Sequence, residues 1–352
     1  MSTLAIQGKL TNGSGSAALT ILGPNLGTMI QEARIYLGNV ECERVPFYNR
    51  TEAMLSRFLP WDRRATLYDE GFGYSAGSQA GNDFVAASIG TSASKTVVWR
   101  PQALGLVNQK NYVPTAFISG GGAVIELLLA NTAAEVCDST GSLDWTLSDV
   151  KLLVDVVQVD AALLSSISKH LLNGGALTLN PQCYSTTLYA VNSPTLQLVH
   201  ARAYTRANSV FVTFFKSEAN TKKLCNMFYL SANGQDLSQQ VQVGAKLWPD
   251  HRCDNLSQFF HRMLHAIGLA NSMSSPNITL GPFGSDSFIA VTDLESVPGQ
   301  AHGSGCSTHN SQMTVDLRDI GSGASDLPTQ AYVCIFHESL ITIEADGVTL
   351  AI

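Results

Sequence analysis

Short apolar or β-branched runs, separated by clusters of Gly, Ser, Asn and Pro, dominate the pattern along this chain. The run from Met313 to Leu317 alternates between apolar and polar positions, which is typical of a strand with one face in water. Such runs, repeated at short intervals with turn residues between them, predict an all-β sandwich or barrel. We expect strands at 4–10, 34–40, 96–99, 124–129, 209–215, 241–248, 288–292, 313–317 and 332–336.

Three segments have helical spacing instead and predict short helices in loops between strands. They are 48–59, 161–172 and 256–269. Asp160 and Asn255 directly precede two of them and are residue types that favour the N-cap position. The third helix carries its apolar residues on one side, as an amphipathic helix packed on a sheet does.

The order of these elements repeats along the chain. Strands at 4–10 and 34–40 precede the helix at 48–59, and strands at 209–215 and 241–248 precede the helix at 256–269. The offset is about 205 residues, so the chain reads as two similar β units in tandem. We place the border near the turn-like triplet Asn192-Ser193-Pro194, which gives an N-terminal unit 1–194 and a C-terminal unit 195–352.

Composition narrows the class of protein further. Of 352 residues, 45% are hydrophobic and only 14% charged, against about 25% charged in typical domains. That balance excludes a disordered chain and a coiled coil, and it suits a surface that is covered by neighbours. The net charge of −7 argues against direct, sequence-specific nucleic-acid binding.

Membrane insertion and secretion are not indicated by the sequence. No apolar run reaches the roughly 20 residues of a transmembrane helix, and no signal peptide precedes Leu4. Seven cysteines are scattered without any Cys-x-x-Cys pair, which favours reduced, intracellular assembly over a disulfide framework.

One motif could indicate a serine esterase. Gly73-Tyr74-Ser75-Ala76-Gly77 matches the Gly-x-Ser-x-Gly elbow, in which the serine sits on a turn between a buried strand and a helix. The flanking residues have neither pattern, and the segment 71–94 is rich in Gly and Ser. We therefore expect a long loop that serves contacts rather than catalysis.

Two groups of His and Cys residues could bind a metal. The first comprises His251, Cys253, His261 and His265, and the second comprises His302, Cys306 and His309. Neither spacing matches a zinc motif, so we expect structural or surface roles and no metal or other cofactor. The triplet at 120–122 is three glycines without the Lys-Ser/Thr of a phosphate loop, and it predicts a turn before the next strand.

Several segments, in order, resemble the major capsid proteins of double jelly-roll viruses, with a Polinton-like or virophage-like character. The run Ile35-Tyr36-Leu37-Gly38-Asn39, followed by a helix that begins at Tyr48, is similar to a strand and helical insertion of that family. Further similar segments lie at 112–127, 145–160, 203–211 and 329–345. The resemblance covers nearly the whole chain, from about Leu4 to Ile352.

The resemblance implies two tandem antiparallel eight-stranded jelly rolls and no enzymatic activity. It implies a homotrimer of pseudo-hexameric outline that tiles an icosahedral shell, with neighbouring capsomers, penton proteins and minor capsid proteins as partners. The location would be the virion, assembled inside the host cell. Family members usually carry a first strand of the N-terminal roll before the position of Leu4. A carbohydrate-binding or adhesin jelly roll is the alternative, and a serine esterase is a weaker one.

Overall fold

A computed structural model of the chain describes residues 4–23, 25–59, 88–109, 111–118, 120–216, 228–231, 236–270, 278, 283–284, 287–295, 305–321 and 326–352. The first six strands are β1 Ala5–Asn12, β2 Ile30–Leu37, β3 Val40–Pro46, β4 Ser94–Trp99, β5 Ala123–Leu129 and β6 Trp145–Leu153. The next six are β7 Leu177–Leu179, β8 Gln182–Ala190, β9 Leu196–His200, β10 Arg206–Phe215, β11 Ser238–Val243 and β12 Lys246–Cys253. The last five are β13 Ala290–Asp293, β14 Met313–Arg318, β15 Gln330–Glu338, β16 Leu340–Ile343 and β17 Val348–Ala351.

Helices occupy loops between these strands, as expected. They are α1 Tyr48–Arg57, the single turn α2 Gly105–Asn108, α3 Ala161–Leu172 and α4 Leu256–Ala266, with short 3-10 turns at Leu26–Met29, Thr115–Phe117 and Ala133–Glu135. The bounds of α3 are those predicted, whereas α1 and α4 end two and three residues early. The all-β class with helices between strands is confirmed.

Strands β8 to β15 form the second roll. They build two four-stranded antiparallel sheets with the strand orders β13-β10-β15-β8 and β12-β11-β14-β9. This is the jelly-roll arrangement, in which successive strands, apart from the β11–β12 hairpin, alternate between two facing sheets. The core between the sheets contains fully buried Val210, Phe214, Phe288, Val315 and Val333.

Strands β1 to β6 form the first roll with the same topology. Its sheets have the orders β4-β1-β6 and β3-β2-β5. Equivalent strands hold equivalent places: β1 lies between β4 and β6 as β10 lies between β13 and β15, and β2 lies between β3 and β5 as β11 lies between β12 and β14. The count of eight strands applies to the second roll. The described residues of the first roll supply six, equivalent to the last six strands of the second.

The two segments expected to be single strands at 34–40 and 241–248 are hairpins instead. In the first roll, Gly38 and Asn39 both have positive φ, at 57° and 67°, and connect β2 to β3. In the second roll, Gly244 has a φ of 60° at the turn between β11 and β12. Two-residue turns with positive φ fit the twist of antiparallel hairpins. Each hairpin precedes a helix. The elements that the predicted repeat matched therefore occupy the same place in the order of the two rolls.

The pairing of β8 moves the border between the rolls. β8 is hydrogen-bonded along its whole length to β15, with Gln182 opposite Glu338 and Ala190 opposite Gln330. A border at 194 would separate β8 from this sheet, because it falls in the turn between β8 and β9. We therefore propose that the second roll begins between β7 and β8. The border at 194 was placed from local turn residues, whereas the pairing partner of β8 lies about 150 residues away.

A small third sheet covers the first roll. Its order is β17-β16-β7, so the end of the chain returns from the second roll to the first. Leu179, Ile341, Ile343 and Val348 from this sheet are buried in the core of the first roll. The first core is thus completed by residues from the opposite end of the sequence.

Candidate assembly surfaces

Helix α1 joins the two rolls within the chain. It is a polar helix, yet nearly all of its residues are buried, and Ala53 and Met54 lie in the core of the second roll. The Oγ1 atoms of Thr51 and Thr186 on β8 are 2.6 Å apart. The helix is therefore held by tertiary contacts on nearly all of its sides.

Two arginines of α1 place their guanidinium groups on aromatic rings of the second roll. Arg50 lies 4.5 Å from the ring centre of Phe215, and Arg57 lies 4.9 Å from that of Phe228. Cation–π contacts between buried groups contribute about 2 kcal/mol or more. Arg57 also donates from Nη1 to Ser287 Oγ at 3.3 Å. The helix predicted by the sequence is thus the contact between the rolls, a role that its pattern did not indicate.

Two buried carboxyl groups of the first roll hold the segment that contacts β8. Glu52 Oε2 accepts hydrogen bonds from the backbone N–H groups of Gln102 and Ala103, both at 3.0 Å. Glu43 accepts from the N–H groups of Gly105 and Leu106 at 2.6 and 3.0 Å. Burial raises the pKa of Glu43 and of Glu52 to about 7, although these hydrogen bonds act in the opposite direction.

Gly105 is required where this segment meets the second roll. A Cβ atom at this position would lie 1.9 Å from the carbonyl oxygen of Gln182 at the start of β8. Backbone atoms cannot move as a flexible side chain does, so any larger residue would push the rolls apart. The geometry explains a glycine that the sequence analysis did not single out.

Helix α4 follows the second hairpin as α1 follows the first, but much of its surface is free among the described residues. Phe259 and Met263 are buried, and its outer side lines a groove of about 520 Å³. The groove is lined by Ser257, Gln258, His261, Arg262, His265 and Asp293. His265 Nδ1 is 3.9 Å from Asp293 Oδ2, which is beyond hydrogen-bond distance. This face is polar and open.

The first His and Cys group is not brought together. Cys253 is buried on β12 and its pKa is raised to about 11 by burial, whereas His251 is exposed on the same strand. His261 and His265 lie on the exposed side of α4. Among the described residues, no three His, Cys, Asp or Glu side chains are grouped so that they could hold a metal ion.

The other candidate motifs are placed only in part. His302 and the Gly73–Gly77 motif with Ser75 lie outside the described residues, as does most of the 71–94 segment. Cys306 is half-buried, and exposed His309 has its Nε2 3.1 Å from Thr205 Oγ1. The three glycines at 120–122 have positive φ and form the expected turn before β5. No helix in the described part of the chain is long and apolar enough to cross a membrane.

Exposed apolar side chains are concentrated in and just after the first roll. Of sixteen large exposed hydrophobic residues in the described structure, thirteen lie between Tyr112 and Leu172. Val156 is 86% exposed, on the extended segment between β6 and α3, and Leu172 is 78% exposed at the end of α3. Large exposed apolar patches on soluble proteins mark interaction sites. This part of the chain therefore has the composition of a surface that contacts a partner.

Comparisons with known proteins match the fold and not the sequence. No protein-family model matches the chain, and no curated protein sequence matches it. The solved structure of VP54 of PBCV-1, fitted into a reconstruction of the virophage Sputnik, matches with a TM-score of 0.62 and 10% identity, over 99% of this chain and 89% of that one.

Two further structures agree. A Sputnik virophage chain matches with a TM-score of 0.56 and 9% identity, over 100% of this chain and 82% of that one. The Faustovirus major capsid protein matches with a TM-score of 0.56 and 8% identity, over 97% and 85%. These structures are double jelly-roll capsid proteins, so the resemblance drawn from the sequence is confirmed at the level of fold. The chain has the double jelly-roll fold of viral major capsid proteins.

Proposed function

We propose that the chain is a structural capsid protein, without enzymatic activity, whose homotrimers form capsomers of pseudo-hexameric outline in an icosahedral shell. The observation that carries the proposal is the match of both rolls together, over 97–100% of the chain, to capsid proteins. A fold alone does not specify function, so the surfaces of this chain supply the further support.

The contact inside the chain suggests how copies meet. Within one chain, α1 of the first roll is buried against the second roll. In a closed ring of three chains, six rolls alternate, and the second roll of each chain faces the first roll of the next. We place α4 at that contact, because it follows its hairpin as α1 does and its outer side is open.

The mass of the native protein tests the proposal. We expect a particle of three times 37.6 kDa at micromolar concentration. Obligate interfaces of this kind bury on the order of 2,000 Å² or more and are rich in apolar contacts. The trimer is therefore expected to survive 1 M salt, where ion pairs between exposed groups are screened. A monomer at every salt concentration would contradict the trimer and would favour the carbohydrate-binding alternative.

A pair of substitutions tests the surface. Gln258 on α4 and Ala345 on the turn between β16 and β17 are both exposed in the single chain. Gln258→Trp would block a packed contact at α4, and we expect it to convert trimers to monomers without lowering the melting temperature of the monomer. Ala345→Trp is the matched control and should remain trimeric. Electron microscopy of the trimeric protein then shows whether capsomers associate into sheets or shells.

A further inference from the structure

A buried cluster of rings lies where the chain passes between the second roll and the small third sheet. β7 leads into β8 there, and β15 leads into β16, so residues 179–183 and 337–341 form a junction between the rolls. Within the junction, Ser339 N donates to the carbonyl oxygen of Pro181 at 3.1 Å. β7, β16 and β17 carry apolar residues that complete the core of the first roll. Opening of the junction would therefore expose that core.

Three rings are stacked at this junction. His200 at the end of β9 and Tyr204 in the following loop have ring centres 5.6 Å apart. On the other side of Tyr204, the ring centre of His337 on β15 is 4.6 Å away. All three side chains are buried, with exposed fractions of 5%, 0% and 3%. His337 is opposite Cys183 in the pairing of β15 with β8, which places one of the imidazoles within the junction itself.

Hydroxyl groups are the polar partners of both imidazoles. His200 Nε2 is 2.9 Å from the hydroxyl oxygen of Tyr204, and its Nδ1 is 3.4 Å from Thr187 Oγ1. His337 Nδ1 is 3.4 Å from Ser339 Oγ. A hydroxyl group can donate or accept, so it suits a neutral imidazole. In the part of the chain that the structure describes, neither imidazole forms an ion pair with a carboxylate.

A permanent positive charge lies beside the stacked rings. The Arg202 guanidinium is 5.7 Å from the ring centre of Tyr204, and its Nη1 donates to Ser185 Oγ at 3.2 Å. Burial, and after it the charge of Arg202, lower the pKa of His200 to about 4 and that of His337 to about 3. The cluster is thus built for two neutral imidazoles next to one cation.

The carboxyl groups around the cluster have other partners. Glu338, the next residue on β15, accepts from Arg206 Nη1 at 3.2 Å. On the side of the first roll, Glu43 accepts from two backbone N–H groups of α2. The nearby His309 is exposed, with its Nε2 close to a threonine hydroxyl. In the described structure, a proton on either buried imidazole thus adds positive charge near Arg202 that no carboxylate offsets.

We propose that this cluster makes the junction an acid-sensitive switch, in which protonation of the two imidazoles opens the junction and releases the third sheet from the core of the first roll. In the open state both rings reach water, where a histidine takes up its proton near pH 6.5. Below that pH, each such proton favours opening by about tenfold per pH unit. The closed junction is therefore favoured above pH 6.5 and is lost as the pH falls. The inference goes beyond the capsid proposal and does not depend on it.

Hydrogen exchange of the full chain at pH 7 and at pH 5 tests the switch. The quantity compared is the protection factor, which corrects for the intrinsic effect of pH on exchange. A sheet of three short strands is not stable without a core, so the amides of β7, β16 and β17 should lose about tenfold or more in protection at pH 5. β10 and β11 lie inside the two sheets of the second roll. Their amides should keep their protection, because the opening is local.

Two conservative substitutions remove the titration and keep a polar group in place. His200→Gln retains one near the position of Nε2, and His337→Asn retains one near that of Nδ1. Each should reduce the loss at pH 5 by about tenfold, and the double variant should show no loss. His251→Gln is the control, because His251 is exposed on β12, and it should respond as the original chain does. Protonation of Glu43 and Glu52 acts in every variant, so the differences between variants report the histidines.

Arg202 offers a test that leaves the buried rings unchanged. Its side chain is only half-buried, so a substitution there is compatible with folding. Arg202→Glu replaces the cation beside the rings by a carboxylate, which favours the protonated imidazoles in the closed state. The loss of protection at pH 5 should then shrink by about tenfold or more. Arg100→Glu makes the same change at an exposed position after β4 and should leave the response as it is.

Three results would overturn the proposal. One is a loss of protection in the third sheet that is no greater in the original chain than in the double histidine variant. Another is an equal loss in β10 and β11, which would show that acid unfolds the whole second roll. The third is an Arg202→Glu variant that responds as the original chain does. A monomer that opens at pH 5 would contradict the trimer and leave this inference standing, so the two proposals fail separately.

Discussion

The two rolls share one topology but are stabilised in different ways. The second roll is closed by its own eight strands, and its core residues on β10 and β15 are almost all buried. The first roll has six strands in the described structure, and borrows β7, β16 and β17 for its core. Its contact with the second roll depends on a buried polar helix and two buried carboxyl groups. The repeat of a topology therefore does not imply a repeat of the interactions that hold it.

The comparison also indicates which part of the chain is suited to contacts with other molecules. In the described structure the two sheets of the second roll have four strands each, and those of the first roll have three. The exposed apolar residues follow the same division, since most lie in the first roll and the segment after it. The exposed apolar surface of the first roll and of the segment after it is therefore the part of the described chain best suited to contacts.

The largest difference is expected when one apolar side chain is shortened on each of two equivalent strands, β15 and β6. Ile335 on β15 is fully buried, and Leu152 on β6 is 52% exposed. Ile335→Ala should lower the free energy of unfolding by about 2–5 kcal/mol, because it leaves a cavity in a closed core. Leu152→Ala should cost less than about 1 kcal/mol, because its side chain is already half in water.

Urea denaturation of the two variants checks this difference. The expected result is a large shift of the unfolding midpoint for Ile335→Ala and a small one for Leu152→Ala, with unchanged slope. Equal losses would mean that Leu152 is packed in solution as tightly as Ile335, and the comparison between the rolls would then be wrong.

The pH dependence of stability should differ between the rolls in sign. Burial raises the pKa of Glu52 in the first roll to about 7, so the folded state binds a proton more tightly than the unfolded chain does. Its contribution is fully present below about pH 4.5 and is lost as the pH rises to about 7. Burial lowers the pKa of His200 in the second roll to about 4. Its contribution is present above about pH 6.5 and is lost as the pH falls.

Single substitutions separate these opposing effects. Each shift corresponds to about 3 kcal/mol as an order of magnitude. Glu52→Gln keeps one acceptor oxygen and should make the protein relatively more stable at pH 7 than at pH 5. His200→Gln keeps a polar partner for the Tyr204 hydroxyl, which is 2.9 Å from His200 Nε2, and should shift stability towards pH 5. Melting temperatures at pH 4, 5, 6 and 7 measure both, and shifts of the same sign would contradict the assignment.

Local sequence patterns predicted the strands and helices, because these depend on residues that are close together in the sequence. Alternation located most strands, and the segment from Ala161 to Leu172 was predicted with its observed bounds. The hairpins were missed although Gly38-Asn39 is a turn signal that the sequence displays. Gly268, with a φ of 72°, likewise indicated that α4 ends before 269.

Long-range contacts could not be predicted from such patterns. The sequence gives no sign that the polar residues of α1 are buried, since their partners Phe215 and Phe228 lie over 150 positions away. Glu43 and Glu52 look like ordinary surface carboxylates until the backbone of 102–106 is placed beside them. That β5 and β6 each pair with a single strand in the described structure became visible only when the strand orders of the two rolls were compared.

The smallest effect is expected at two helix N-caps, one in the second roll and the other next to the first roll. The sequence predicted N-caps at both Asn255 and Asp160. Asn255 Oδ1 accepts a hydrogen bond from Ser257 N at 2.8 Å, whereas the Asp160 side chain makes no capping hydrogen bond. Asn255→Ala should therefore cost about 1 kcal/mol of unfolding free energy. Asp160→Ala should cost only a few tenths, through the interaction of its charge with the helix dipole.

Equilibrium unfolding in urea, with helix content followed by circular dichroism, measures both costs. The matched change at two helix starts isolates the capping bond, because each variant removes one polar side chain from the same position. Asn255→Gly is a useful third variant, since glycine at the N-cap restores much of the stability by leaving the N–H groups open to water. Equal costs at Asn255 and Asp160 would show that burial of Phe259 and Met263, and not the local cap, determines where α4 begins.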